Sequence, residues 1–284
     1  MNRKDRLKDI FEDTVAFYTK DPDLARNVID TKAGTCLYEE NDYPQIQRKA
    51  DKSGQIAVTK AKTFEAAIAL AKKHPGKRIA VLNFASATNP GGGVKKGSSA
   101  QEECLCRCST LYPSLTQDWI WRRFYQKNRE MRDNLHTDAC IYTPQVTICK
   151  TDEQYPERLE KEDWVTVDVI SCAAPNLRTK PSNSYNADSS RPVRISCYDL
   201  RKLHVSRAKH ILHIAAANNV DILVLGAFGC GAFCNDPDTV AMAYEEILPG
   251  YRKYFDKVEF AIYCRDYETE NYDAFKKHLD GSAR

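Results

Sequence analysis

No run of apolar residues in this chain approaches the roughly 20 needed to cross a bilayer as a helix, so a membrane-spanning protein is not expected. An excess of charge of one sign is missing as well. Lys and Arg number 42 against 39 Asp and Glu, and a net charge of +3 is too small and too dispersed to mark a general nucleic-acid binder. Any anion site must therefore be local. The opening stretch "MNRKDRLKDIFEDTVAFYTK" has no apolar core of the kind an export signal carries, and a cytoplasmic chain is expected. Its 11 cysteines are then read as reduced thiols rather than a disulfide framework. Internal repeats are absent. What remains, 42% hydrophobic and 29% charged residues over 284 positions, is ordinary globular composition in a chain long enough to bury a substantial core.

Leu7, Ile10, Phe11, Val15, Phe17 and Tyr18 form an apolar stripe that predicts helix over residues 1–30, broken at "KDPD". A second helix fits Thr63 to His74, capped by Thr63 and stopped by Pro75 and Gly76. From there strands alternate with helices. "RIAVLNFAS", "CIYTPQVTICK", "WVTVDVISCAAP", "DILVLGAF" and "KVEFAIYCRD" read as strands. Helices are expected from Ser98 or Ser99 and at "WIWRRFYQKNREMRD", "YDLRKLHVSRAKHILHIAAAN", "DTVAMAYEEILPGYRKYF" and "NYDAFKKHL". That order predicts an α/β sheet covered on both faces. The polar stretch Leu177 to Pro192 reads as a long surface loop.

Ligands of such sheets lie beyond the carboxyl ends of the strands, in the turns that lead into helices. Two of those turns are rich in glycine: "FASATNPGGGVKKGSSAQEECLCRCS", Phe84 to Ser109, and "GAFGCGAFCNDP", Gly226 to Pro237. The first is not a phosphate-binding P-loop. That motif needs Lys directly after its last glycine, whereas Lys95 and Lys96 precede Gly97, and Gln101, Glu102 and Glu103 put negative charge beside the amides that would hold phosphate. Ser99 followed by Glu102 reads as a capping box, which leaves Glu103 and the triple glycine unexplained. In the second turn Gly226, Gly229 and Gly231 allow close backbone approach, and Asp236-Pro237 supplies a helix cap and first turn. A dinucleotide fingerprint fails there, because Cys234 stands where G-x-G-x-x-G wants glycine.

Gly91-Gly92-Gly93, the spacer "VKKGSSA" and Gln101-Glu102-Glu103 resemble the signature of the microbial type of poly(ADP-ribose) glycohydrolase, a branch of the macrodomain fold. The flanking "NFASATNP" and "CLCRCSTLYPSL", and the later "GAFGCGAFCNDP", are similar to family sequence too, so the resemblance runs from about Arg3 to Lys277. It implies a three-layer α/β/α macrodomain with a mixed central sheet, residues 51–284, preceded by an N-terminal helical extension, residues 1–50. By position it implies Glu103 as the catalytic glutamate, with Glu102 holding substrate hydroxyls. It also implies Gly91, Gly92, Gly93 and Asn89 at the terminal ribose, Gln101 among the substrate-binding residues, Phe233 pressing that ribose toward the glutamates, and Gly229, Cys230, Gly231 and Ala232 along the diphosphate. The implied ligands are ADP-ribose and its polymer, free or on modified proteins, with no cofactor, no metal and a monomeric chain.

Hydrolysis of a ribosyl acetal needs a proton for the leaving oxygen and an activated water. Neighbouring glutamates on one helix project about 100° apart from one end, so they cannot flank the bond from opposite faces. One residue, Glu103, is expected to act first as acid and then as base while Glu102 aligns hydroxyls; a proton donor there requires a raised pKa that burial or repulsion would have to supply against the helix dipole. Two other readings stay open at this point: a hydrolase of a different ADP-ribose linkage, and a non-catalytic ADP-ribose reader. Cys104, Cys106 and Cys108 do not share one helix face and are read as buried thiols rather than metal ligands. His210 and His213 are read as structural, and Cys230 as a possible redox-sensitive thiol. "WIWRRFYQK" is read as an amphipathic helix docking its aromatics into the core.

Overall fold

Asn2 and Asp21 open the first two helices by accepting backbone N–H groups with their side chains. These helices, α1 (Arg3–Lys20) and α2 (Pro22–Gly34), meet at the expected break. Then come β1 (Cys36–Tyr38), β2 (Gln55–Thr59), α3 (Thr63–Lys73) and β3 (Ile79–Phe84). The first glycine loop leads into α4 (Gln101–Cys108). Two short helices, α5 (Tyr112–Leu115) and α6 (Asp118–Ile120), a π-helical turn over Trp121–Gln126, and α7 (Lys127–Met131) follow. The chain closes with β4 (Cys140–Ile148), β5 (Val165–Cys172), α8 (Cys197–Ala217), β6 (Ile222–Leu225), α9 (Pro237–Tyr251), β7 (Lys257–Ala261) and α10 (Glu270–Leu279). The computed structural model describes residues 2–179 and 193–280, so most of the loop expected between Leu177 and Pro192 lies outside the described residues.

Seven strands form one sheet in the order β1-β4-β5-β3-β6-β7-β2. Only the pairs of β4, with β1 and with β5, are antiparallel; the rest are parallel. The sheet is therefore mixed, with five parallel strands at its centre and one side. Period-two alternation splits the core. Ala80 and Leu82 of β3 join Ile170, Leu223, Leu225 and residues of α8, α9 and α10 on one face. Ile79 and Val81 join Val169, Ile222, Val224 and residues of α3, α4 and the 118–126 stretch on the other. This is a three-layer α/β/α arrangement. The aromatic helix docks as expected, with Ile120, Phe124 and Tyr125 buried.

Two local expectations are corrected. Thr63 is already inside α3, and Lys62 is its cap; the Thr63 hydroxyl instead accepts from the Gln101 amide at 3.0 Å. Carboxylates take the free amides, Glu65 from Lys62 N–H at 3.1 Å and Asp152 from Phe64 N–H at 3.2 Å. Two strands are added to the five read from the sequence. β1, inside the segment read as helical, is three residues long, too short to show any alternation, and β2 pairs with β7 at the sheet's other edge.

The opening helix is locked onto the first glycine loop. Thr14 donates its hydroxyl to Arg107 O at 2.6 Å, and the buried Lys150 ammonium reaches Ile10 O at 2.9 Å and Asp13 at 2.7 Å. Gly97, at φ +71°, lies against the Lys4 carbonyl where a Cβ has no room. Gly97→Ala should therefore cost at least about 1–2 kcal/mol through its left-handed backbone alone, lowering Tm by about 3 °C or more. A thermal melt matching the unsubstituted chain would contradict this packing.

Candidate active site

Three neighbouring parallel strands, β5, β3 and β6, deliver their carboxyl ends to one edge of the sheet. Both glycine loops start there, and the loop after β5 joins them. Phe84 at the end of β3 and Phe228 in the second loop place their rings 5.6 Å apart. Sequence separation between the two loops is thus erased by a single strand pairing.

Under the first loop lie the two glutamates, both buried at the start of α4. The Glu102 carboxylate accepts from Ser86 N–H at 2.8 Å and approaches the Asn83 amide at 3.5 Å; Asn83 in turn donates to the Ser171 hydroxyl at 2.9 Å. Glu103 Oε1 accepts from Gly93 N–H at 2.8 Å. Its Oε2 is buried and has no hydrogen-bond partner among the described residues. Gly92, at φ +58°, has no space for a Cβ: one would collide with Glu103 Oε1 and sit 3.1 Å from Glu102 Oε2. The glycine there is what lets two carboxyl groups close on one point of backbone.

Burial pushes the Glu102 carboxyl well above the ordinary carboxylate range, against the Ser86 N–H, and the neighbouring Glu103 charge pushes it further. The raised carboxyl is thus the one expected only to align hydroxyls. The Ser99–Glu102 capping box does not form, because α4 is capped at Ala100 and Glu102 turns to Ser86.

In the second loop the amides of Gly229, Gly231, Ala232 and Phe233 donate to no protein acceptor among the described residues, whereas those of Phe228, Cys230, Cys234 and Asn235 are taken by the loop's own carbonyls. Such free amides form a concavity suited to an anion. Buried Asn235 holds the loop's shape by donating to Pro175 O at 2.7 Å, Gly229 O at 3.0 Å and Phe233 O at 3.2 Å. These three carbonyls fix the orientation of its amide, so its oxygen must accept, and His204 supplies the donor through Nε2 at 2.9 Å. Phe233 is half-buried against the core. As expected, Asp236 caps α9, accepting from Thr239 N–H at 2.8 Å.

Asn89 sits on the first loop with its side-chain oxygen on Arg129 at 2.8 Å. The Gln101 amide accepts from Phe84 N–H at 2.9 Å and donates to Leu82 O at 2.7 Å, tying α4 to β3. Burial pushes the Cys230 thiol up, which disfavours the reactive thiolate. Burial does the same to Cys106 and Cys108. His210 bonds the carbonyls of Asp138 at 2.7 Å and Asp42 at 2.8 Å, and His213 that of Pro44 at 2.6 Å, which are structural roles. Sequence reasoning gave no role to Asn83, Ser86, His204 and Asn235; Asn83 and Ser86 adjoin the first glycine loop and Asn235 lies inside the second, whereas His204 carried no sequence signal.

The family model for the catalytic domain of microbial-type poly(ADP-ribose) glycohydrolase (PARG) matches residues 12–151. Among solved structures, the chain is similar to poly(ADP-ribose) glycohydrolase from Thermomonospora curvata bound to the inhibitor ADP-HPD, with 30% identity, 95% of this chain and 98% of that one covered, and a TM-score of 0.78. It is also similar to the Deinococcus radiodurans glycohydrolase in complex with ADP-ribose, with 35% identity, 88% and 96% covered, and a TM-score of 0.75. No curated protein matches it.

Burial lowers the His204 pKa from 6.5 to about 4. The folded value lies below the unfolded one, so this group's contribution to stability is complete above about pH 6.5 and is lost as pH falls toward 4. The shift corresponds to about 3 kcal/mol. His204→Gln keeps a donor for Asn235 without a titrating ring, so its urea midpoint should fall less between pH 7 and 4 than that of the parent chain. Parallel profiles would contradict the assignment.

Proposed function

The chain belongs to the microbial-type poly(ADP-ribose) glycohydrolase family, and on that premise we propose that it hydrolyses the ribose–ribose O-glycosidic bonds of poly(ADP-ribose), releasing ADP-ribose from chain ends. The observation that carries this reading is the buried, unpartnered Glu103 Oε2 beneath the triple glycine. A buried carboxylate oxygen left without a donor costs free energy in the empty fold. A sugar hydroxyl, a leaving oxygen or a water against Gly91 to Gly93 would relieve that cost.

The reaction follows from the pair. Burial and the charge of Glu103 push the Glu102 carboxyl upward, so Glu102 holds a proton more readily than an exposed glutamate would. That proton goes through Glu103 to the leaving ribose oxygen as the bond to the anomeric carbon breaks. Glu103, now ionised, takes a proton back from the water that adds to the same carbon. Gly93 N–H holds Glu103 Oε1 throughout, leaving Oε2 for both transfers. The diphosphate of the terminal unit lies on the free amides of the second loop, away from the carboxylates.

Glu103→Gln preserves the bond to Gly93 and removes the titrating group. ADP-ribose release from polymer, followed by chromatography, should fall by on the order of 100-fold or more, with ADP-ribose affinity kept within a few fold. Unchanged turnover would remove Glu103 from the mechanism. Gly231 separates binding from folding, because a Cβ there meets nothing within 4 Å. Gly231→Val should melt like the parent chain yet bind ADP-ribose more weakly by calorimetry; parent affinity would sink the diphosphate assignment.

A further inference from the structure

A second concave surface lies away from the glutamates, an open cleft of about 610 Å³ whose lining includes Lys32 from the end of α2 and Asp118, Trp119, Arg122 and Arg123 from the helical stretch after α5. Its volume falls in the range of small-ligand sites. We propose that this cleft holds a second ADP-ribose unit of the polymer whose terminal unit occupies the two glycine loops, an inference that rests on the functional reading above.

Charge supports it first. Three cations face one carboxylate in the lining. Arg123 is shared with Glu39 at 3.0 Å, and the other oxygen of Glu39 takes Lys127 at 3.1 Å. Arg122 is exposed and has no hydrogen-bond or ion-pair partner among the described residues. A free guanidinium fork matches phosphate oxygens two at a time, and every further unit of the polymer brings another diphosphate.

Aromatic surface supports it second. Trp119 lines the cleft half-exposed, with its indole N–H fixed on Gln117 at 3.3 Å. An indole held in place is a ready stacking platform for a purine, the other chemical group each polymer unit repeats.

Continuity supports it third. The helical run that supplies Trp119 and Arg122 goes on to Arg129, which donates to Thr88 O at 2.7 Å and to Asn89 at 2.8 Å on the first glycine loop. Arg129 also lies over the Trp121 ring at 4.4 Å. Arg122 and Arg129 lie seven positions apart on this run, which passes from the π-helical turn into α7. One continuous helical run therefore touches both the first glycine loop and the cleft, and a chain anchored by its end at the loop has its next unit within reach.

The experiment is steady-state release of ADP-ribose from polymer by the full chain, its Arg122→Glu variant and its Trp119→Ala variant, with calorimetry of free ADP-ribose alongside. The KM for polymer should rise roughly tenfold in each variant, on the scale of one lost stacking or phosphate contact, with kcat and the Kd for free ADP-ribose unchanged. A polymer KM that does not move would overturn the inference, as would a rise matched by an equal loss of ADP-ribose affinity. Single-stranded RNA competing with polymer as well as polymer itself would overturn it in favour of a general polyanion surface. Failure of the unsubstituted chain to release ADP-ribose from polymer would overturn the functional reading and this inference together, an outcome distinct from active variants with an unmoved KM.

Discussion

Parallel pairing of β3 with β6, which sets Ile79 beside Ile222 and Val81 beside Val224, is the constraint on which the rest of the site depends. Strands far apart in sequence become neighbours running the same way, so their following loops leave the sheet at one edge. All four of these side chains are almost wholly buried on one face. A slip of one residue would turn that set to the opposite face. The register that keeps the core apolar is therefore the register that brings the two glycine loops together at one edge.

Within that frame the two loops solve opposite electrostatic problems. The second offers free amides to an anion. The first gives its amides away to carboxylates, Ser86 N–H to Glu102 and Gly93 N–H to Glu103, and so presents buried acid where a phosphate would be repelled. On the proposed reading a division of labour follows, with the charged end of a nucleotide sugar directed to one loop and its reactive acetal to the other. Burial of Glu102 works against ionisation, while the amides hold both side chains in place. The chemistry needs both effects, since a proton must be retained and its carrier must not move.

The α/β alternation, the strand–loop–helix order and both glycine loops were legible because each rests on local pattern: apolar runs, breakers and turn residues. The family signature lay in residues adjacent along the chain. What stayed hidden depends on partners far away in sequence. Nothing near Asn235 announces that its amide binds Pro175 O and His204. Ser99 followed by Glu102 fits a capping box, yet the Ser86 amide outcompetes it across the loop. Thr63 looks like a cap and instead bonds Gln101. β1 is too short for periodicity to mark, and its place comes from pairing with Tyr142, Ile141 and Cys140. The partners of the motif residue Gln101, Phe84 N–H and Leu82 O, were likewise hidden from local pattern.

The central claim is that one ligand bridges both loops with its sugar and phosphates assigned oppositely. A crystal structure of the full chain soaked with ADP-ribose tests it most directly. Diphosphate oxygens are expected within hydrogen-bond distance of the Gly229, Gly231, Ala232 and Phe233 amides, and the terminal ribose against Gly91 to Gly93 with a hydroxyl or water on Glu103 Oε2. Diphosphate seated on the triple glycine, or a ribose out of reach of Glu103, would contradict it.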